Sequence, residues 1–264
     1  MRQIHRRTLL GVPAMLLAGR ALAAPASPWL AYERRLRGRL SDEGGGGFDQ
    51  DFEADLFDLT NLFRGQQGRP PLAWDPGLAR AARAHAADMA ARDSFEHLTP
   101  EGYGPAARVG LLARDLVGAA GENIAVRRNA RAPATPPQIM QQWRDSPDHR
   151  ANMLTPGFTH AGLGLVQLNG EVVAVAVYAE VSARLARPAP LQAAGVEAIA
   201  EALAQASPPI SQFSVSEPGG EALTTTYVEG RAVTLAPGAW QSRPHLPSGP
   251  RRYQVAWGPV FVVG

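Results

Sequence analysis

Apolar positions recur at helical spacing in several stretches of the chain. Phe52, Leu56, Leu59 and Phe63 fall three or four residues apart and predict one amphipathic helix. Asp75-Pro76 reads as an N-cap followed by a proline in the first helical position. The helix it opens carries Leu78, Ala82, His85 and Met89 on one stripe. Thr135-Pro136 opens another, bearing Ile139, Met140 and Trp143, and Ser146-Pro147 a shorter one that ends near Thr155-Pro156. Upstream, Trp29, Leu30, Leu36 and Leu40 among arginines predict a short helix over 28–40, and the run Gly44 to Gly47 then reads as a flexible linker.

The period changes from Leu163 onward. Leu163, Leu165 and Val166 lead to Asn169-Gly170, a dipeptide suited to a two-residue hairpin turn, and the return strand runs from Val172 to Val181. Both faces of that strand are apolar: Val172, Ala174, Ala176 and Tyr178 on one, Val173, Val175, Val177 and Ala179 on the other. An antiparallel strand buried on both sides needs cover above and below, and the upstream helices can supply it. After Arg187-Pro188 a helix is marked by Val196, Ile199 and Leu203. Short strand-like runs follow at 210–215, 223–228, 233–235, 253–257 and 260–263, with Glu229-Gly230 as a candidate turn. The pattern divides the chain into a leader (1–23), an N-terminal helix and linker (24–50), a main domain (51–185) and a small β-rich C-terminal region (186–264).

Composition alters this picture at the N-terminus. Arg6 and Arg7 precede an apolar stretch from Thr8 to Gly19, and Ala21-Leu22-Ala23 offers small residues to a signal peptidase. The stretch is too short to span a bilayer, and the paired arginines resemble a twin-arginine export signal. The expectation is an exported protein, periplasmic or extracellular. The formal charge of +2 includes this leader; without it, 22 basic residues face 24 acidic ones. Such a balance gives no long-range attraction to nucleic acid, so no nucleic-acid partner is expected. The absence of cysteine excludes thiol nucleophiles, thiolate metal sites and disulfides. Signatures of serine hydrolases, zinc peptidases and nucleotide-binding folds are absent as well.

What remains is a set of short motifs: Leu72-Ala73-Trp74-Asp75, Ala84-His85-Ala86-Ala87-Asp88-Met89, Phe95-Glu96-His97-Leu98-Thr99-Pro100, Gly121-Glu122-Asn123-Ile124-Ala125, and Ser146-Pro147-Asp148-His149-Arg150-Ala151-Asn152-Met153-Leu154 after Trp143. In this order they resemble the CAP superfamily of SCP-like extracellular domains, above all its bacterial branch, over about 51–182. The resemblance implies an α/β fold, a three-layer α-β-α sandwich with a mainly antiparallel central sheet. It also implies a shallow cleft lined by histidines and glutamates that can hold a divalent metal such as Zn²⁺. Residue by residue, His97, Glu122 and His149 match that metal-binding set, with Asn123, Asp145 and Ser146 beside it. The second glutamate that animal members carry soon after the tryptophan is missing, since Trp143 is followed by Arg144, Asp145 and Ser146.

Local physics adds that His149, in the first turn of a helix capped by Ser146, is kept neutral by the positive helix end. Structural readings stand beside these: Glu122 and Asn123 as braces of a loop entering a strand, and His149 capping its helix and pairing with Glu122. His85, Trp74 and Trp143 read as core residues, and Asp148 with Arg150 as a local ion pair. The expected function is a non-catalytic binding module for a lipid, an envelope component or a protein partner. A hydrolase using His97 or His149, with Glu122 orienting, is the alternative, and a scaffold with a vestigial cleft is a third.

Overall fold

The computed structural model describes residues 27–41, 47–128, 134–168, 170–228, 231 and 233–264. The leader, most of the glycine linker, Asn169 and the Glu229-Gly230 turn lie outside the described residues. Helices α1 (Pro28–Arg39) and α2 (Gln50–Gln66) precede a two-residue strand β1 (Ala73–Trp74), then α3 (Pro76–Arg92) and α4 (Pro105–Leu112). Strand β2 (Leu116–Arg128), helices α5 (Pro136–Asp145) and α6 (Pro147–Met153), and the hairpin of β3 (His160–Leu168) and β4 (Glu171–Arg184) complete the main domain. The sheet runs in the order β1-β3-β4-β2, antiparallel except for the β1–β3 pair, which leaves β2 at an edge.

The two apolar faces of β4 explain the layering. Val173, Val175, Val177 and Ala179 pack into one cluster with Tyr32 and Leu36 of α1, Leu78 and Met89 of α3 and Leu111 of α4. Val172, Ala174, Ala176 and Tyr178 pack into a second with Phe52 and Leu56 of α2 and Ile139 and Trp143 of α5. Each buried valine or leucine contributes roughly 1.5–3 kcal/mol relative to exposure. Helices above, sheet between and helices below form a three-layer α-β-α sandwich. Helix α1 belongs to it, because Tyr32 and Leu36 are fully buried in the first cluster.

Helix α3 lies unusually close to β3, and glycine permits this. A Cβ on Gly162 would sit 2.0 Å from the backbone nitrogen of Ala79, and one on Gly164 2.1 Å from that of Arg83. The start of α3 is fixed by Asp75, whose carboxylate accepts from the Leu78 N–H at 2.7 Å and pairs with Arg184 near the end of β4.

The C-terminal region forms a second sheet from β5 (Gln192–Ala193), β6 (Gln212–Ser216), β7 (Thr226–Val228), β8 (Gly238–Gly249), β9 (Arg252–Val255) and β10 (Val260–Val263), with α7 (Glu197–Ala204) packed beside it. Its core takes in Val117, Ala183 and Leu185 from the ends of β2 and β4, so it is docked on the main domain. Val233–Leu235, expected as a strand, is not in a ladder, whereas β8 runs at the centre despite Pro244 and Pro247. Trp74, expected in the core, stands 38% exposed on β1 and meets Phe57 edge to face at 5.3 Å. Its strand is two residues long and sits at the sheet's other edge, with a strand neighbour on one side only. Among the described residues no helix is long and apolar enough to cross a membrane.

The close seating of α3 makes a prediction. Gly162→Ala or Gly164→Ala lowers unfolding stability by about 3 kcal/mol, read from the urea midpoint, because helix backbone must move. Gly65→Ala, at an open position in α2, shifts it by no more than about 1 kcal/mol, toward greater stability. Unchanged midpoints in the two β3 variants contradict this packing.

Candidate ligand groove

The residues singled out by sequence converge at the free edge of β2. Helix α3 ends at Asp93, in the left-handed region at φ 49°, and the chain enters a loop carrying Phe95, Glu96 and His97. Arg108 of α4 fastens that loop from beneath. Its Nη2 donates to the His97 carbonyl at 3.0 Å, and its Nη1 donates to the Tyr103 carbonyl and the Tyr32 hydroxyl, each at 3.3 Å. The same guanidinium donates to both oxygens of Glu122, at 3.1 and 3.0 Å. Both side chains are almost wholly buried. A buried charge pair of this kind is tolerated only with close geometry and further hydrogen bonds, and this one has both.

Glu122 Oε1 also pairs with His97 Nδ1 at 2.9 Å, and His85 Nε2 lies 3.8 Å from it. Burial alone raises the Glu122 pKa, but Arg108, His85 and His97 outweigh it and hold the carboxyl at about 2. The hydrogen bond to Glu122 lifts His97 above the ordinary imidazole value, against the effect of its partial burial. Burial, and then the Arg108 charge, press His85 down to about 4, so it is neutral at ordinary pH. His85 is therefore a core residue, as its helical stripe suggests, with Nε2 3.1 Å from the Glu96 carbonyl.

On the opposite wall, Ser146 Oγ accepts from the His149 N–H at 3.5 Å, a long cap that places His149 in the first turn of α6. Burial, then the proximity of His97, lower the His149 pKa. The direction is the one expected for a neutral ring, with partial burial as its main cause. Asn123 and Asn152 lock this wall to the sheet. Asn123 Nδ2 donates to the His149 carbonyl at 3.0 Å, and Asn152 Nδ2 donates to the Glu122 carbonyl at 2.9 Å and to Asn123 Oδ1 at 3.1 Å.

Between the two walls lies an open groove of about 580 Å³. Phe95, Glu96 and His97 form one side, Gln142 of α5 and His149 the other, and Ile124, Val126 and Arg128 of β2 the floor.

Several expectations change in detail. Glu122 and Asn123 lie within β2 rather than in a loop before it. Asp145 turns away and accepts from Gln141 Nε2 at 2.7 Å. The partner of Glu122 is His97, not His149. Arg150 donates to the Arg144 carbonyl, and among the described residues it makes no ion pair with Asp148. Sequence reasoning missed Arg108; its one signal is a lone arginine in the run Ala106-Ala107-Arg108-Val109-Gly110-Leu111. The donor set also bears on a metal. Glu122 is buried outside the groove lining, with Arg108 Nη2 on both oxygens and His97 on Oε1, so as placed it does not fit as a ligand beside His97 and His149. Among the described residues, no group of three or more His, Asp or Glu side chains is arranged to hold a cation.

Comparison with known proteins bears on the domain that carries this site. Residues 57–178 match the model of the CAP, or cysteine-rich secretory protein, family, so this stretch of the chain is similar to a CAP domain. It is 36% identical over 116 residues to the uncharacterized protein YkwD of Bacillus subtilis, covering 44% of this chain and 43% of that protein. It is 32% identical over 145 residues to the uncharacterized membrane protein YlbC of the same organism, covering 51% of this chain and 39% of that one. The matches thus span less than half the length of either relative. Among solved structures, an extracellular protein with an SCP domain from Bacillus anthracis is 29% identical, with a TM-score of 0.42. That match covers 49% of this chain and 40% of the other.

The electrostatics can be read directly. In histidine-resolved NMR titration, His97 gains its proton above pH 6.5, His149 below it, and His85 near 4. Because the folded pKa of His85 is depressed, the unfolded chain binds more protons between about pH 6.5 and 4. Stability therefore falls with falling pH through that window, by about 3 kcal/mol for His85 alone. His97 has the opposite sign: its contribution is full below pH 6.5 and is lost as pH rises through its folded pKa. A His97 that titrates with or below His149 contradicts the Glu122 pairing.

Proposed function

We propose that the protein is an exported, non-catalytic binding module that takes an envelope-located ligand in the groove between His97 and His149. The leader at 1–23 supports export. The observation that carries the reading is the pairing of Glu122 with Arg108 inside the core. With that carboxylate neutralised from below, the groove offers a polar imidazole on each wall above an apolar floor at Ile124 and Val126. Such a mixture of apolar surface and a few convergent polar groups is suited to recognition.

One observation favours a second reading. Glu122 holds His97 by Nδ1, as an orienting acid holds a general base, leaving Nε2 to act on a substrate. Among the described residues that line the groove there is no serine, threonine or cysteine, so a hydrolase built from them must use water as its nucleophile.

Co-sedimentation of the chain from Ala24 with isolated cell envelopes, left whole, delipidated or protease-treated, separates these readings. The protein is expected to sediment with whole envelopes, and the His97→Ala, His149→Ala double variant to bind at least about tenfold more weakly. The treatment that abolishes capture identifies the ligand as lipid, protein or polymer. Equal capture of the double variant removes the groove from the function. Soluble fragments released by the wild type and not by His97→Ala establish the hydrolase instead.

A further inference from the structure

The floor of the groove is the outer edge of a strand, and its backbone can be followed residue by residue. Along an antiparallel strand the N–H and C=O of one residue point the same way, and successive residues alternate. Two hydrogen-bonding sites fix the phase here. Gly118 exchanges both backbone bonds with Trp257, at 2.9 Å each, on the side away from β4. The Glu122 carbonyl accepts Asn152 Nδ2 on that same side. The β2–β4 register is unbroken from Gly118 to Arg128, so Ala120, Glu122, Ile124 and Val126 all aim their backbone groups outward. Among the described residues, no hydrogen bond outside the ladder engages Ile124 or Val126.

We infer that this stretch of β2 binds an extended polypeptide segment as an added strand, paired to the backbone of Ile124 and Val126. Beyond Glu122, whose carbonyl Asn152 already engages, the edge runs from Ile124 to Arg128 over roughly 13 Å, enough for about four residues of partner. An exposed edge of this length is normally covered, bulged or broken, because it templates pairing. The protein itself uses the mechanism one step upstream, where the segment at Trp257 occupies the same edge at Gly118. The proposed partner continues that line into the groove.

The two walls then read alternate side chains of the partner. One set faces Phe95 with Ile124 and Val126, an apolar surface over which Arg128 lies 5.0 Å from the Phe95 ring. The other set faces Gln142 and His149, which present polar groups. The occupant is therefore a segment that alternates apolar and polar residues and contains no proline at the paired positions. A glycan hydroxyl can meet a single backbone group, but only a polypeptide matches outward N–H and C=O groups repeated at every second residue, which is why the polypeptide is preferred. The inference rests on the groove being the ligand site.

A displayed library of random segments of about eight residues, panned on the chain from Ala24, tests it. Val126→Pro serves as the counter-target, since it removes one outward N–H and no ladder donor. The library should yield alternating segments that bind the wild type. Synthetic copies methylated at the backbone nitrogens facing β2 should bind at least about tenfold more weakly, from two lost hydrogen bonds. The methylated copies leave the protein untouched, so the test holds even if Val126→Pro fails to fold. Equal binding of methylated and unmethylated copies overturns strand addition, as does a library that enriches nothing. In either case, loss of envelope capture by the His97→Ala, His149→Ala protein still upholds the groove. If that capture is also unchanged, the groove reading falls with it.

Discussion

The buried ion pair between Arg108 and Glu122 is the constraint on which the site depends. Each charge gives up several kcal/mol of hydration, and the contact of Arg108 Nη2 with both carboxylate oxygens, together with the additional partners, compensates. One guanidinium reaches four elements: its own helix α4, strand β2 through Glu122, the 93–104 loop through the His97 and Tyr103 carbonyls, and α1 through Tyr32. Removing either partner leaves the other charged in the core, at a cost of about 3–5 kcal/mol. The C-terminal region backs the same helix, since Gln241 Nε2 donates to the Ala106 carbonyl at 3.0 Å and Val260 enters the main core. This gives the docked β-rich region a structural purpose: it helps hold α4, and with it the loop that carries His97.

The groove follows from the layering. Helices cover both faces of the sheet, while β2 stands at its edge, so the space between the helical layers opens there as a cleft. Even-numbered residues of β2 turn their side chains toward the α3 layer, where Glu122, Ile124 and Val126 lie. Asn123 turns toward α6 and fixes the wall that bears His149. The alternation of one strand thereby places an anchored carboxylate on one side and a brace on the other.

Much of the fold was legible because its signals are local. Proline at the first position of α3, α5 and α6 and the two-faced Val172–Val181 run predict helices and a central strand, all of which form. Strand β2 was not legible. Gly118, Gly121, Glu122 and Asn123 interrupt its apolar pattern, yet each is required by a neighbour: a Cβ on Gly118 would meet the Glu180 carbonyl at 1.8 Å, one on Gly121 the Phe158 ring at 2.7 Å, and Glu122 and Asn123 make the site. Strand β8 was hidden by its prolines and by Gln241, Ser242 and Arg243, polar residues buried through hydrogen bonds that sequence does not display. The family motifs located His97, Glu122 and His149, but they did not reveal that Arg108 already occupies Glu122. That contact joins positions 14 residues apart on different elements, and only the tertiary packing sets it.

Calorimetric titration of Zn²⁺ into the chain from Ala24, repeated at rising pH so that a proton on His97 does not compete with the metal, tests this account most directly. If Glu122 stays with Arg108, two histidines alone face the cation. The wild type should then give no heat beyond that of the His97→Ala, His149→Ala protein. Micromolar or tighter binding that the double variant lacks requires a third protein ligand. It would mean that Glu122 leaves Arg108 for the metal, contradicting the pair on which the site is built.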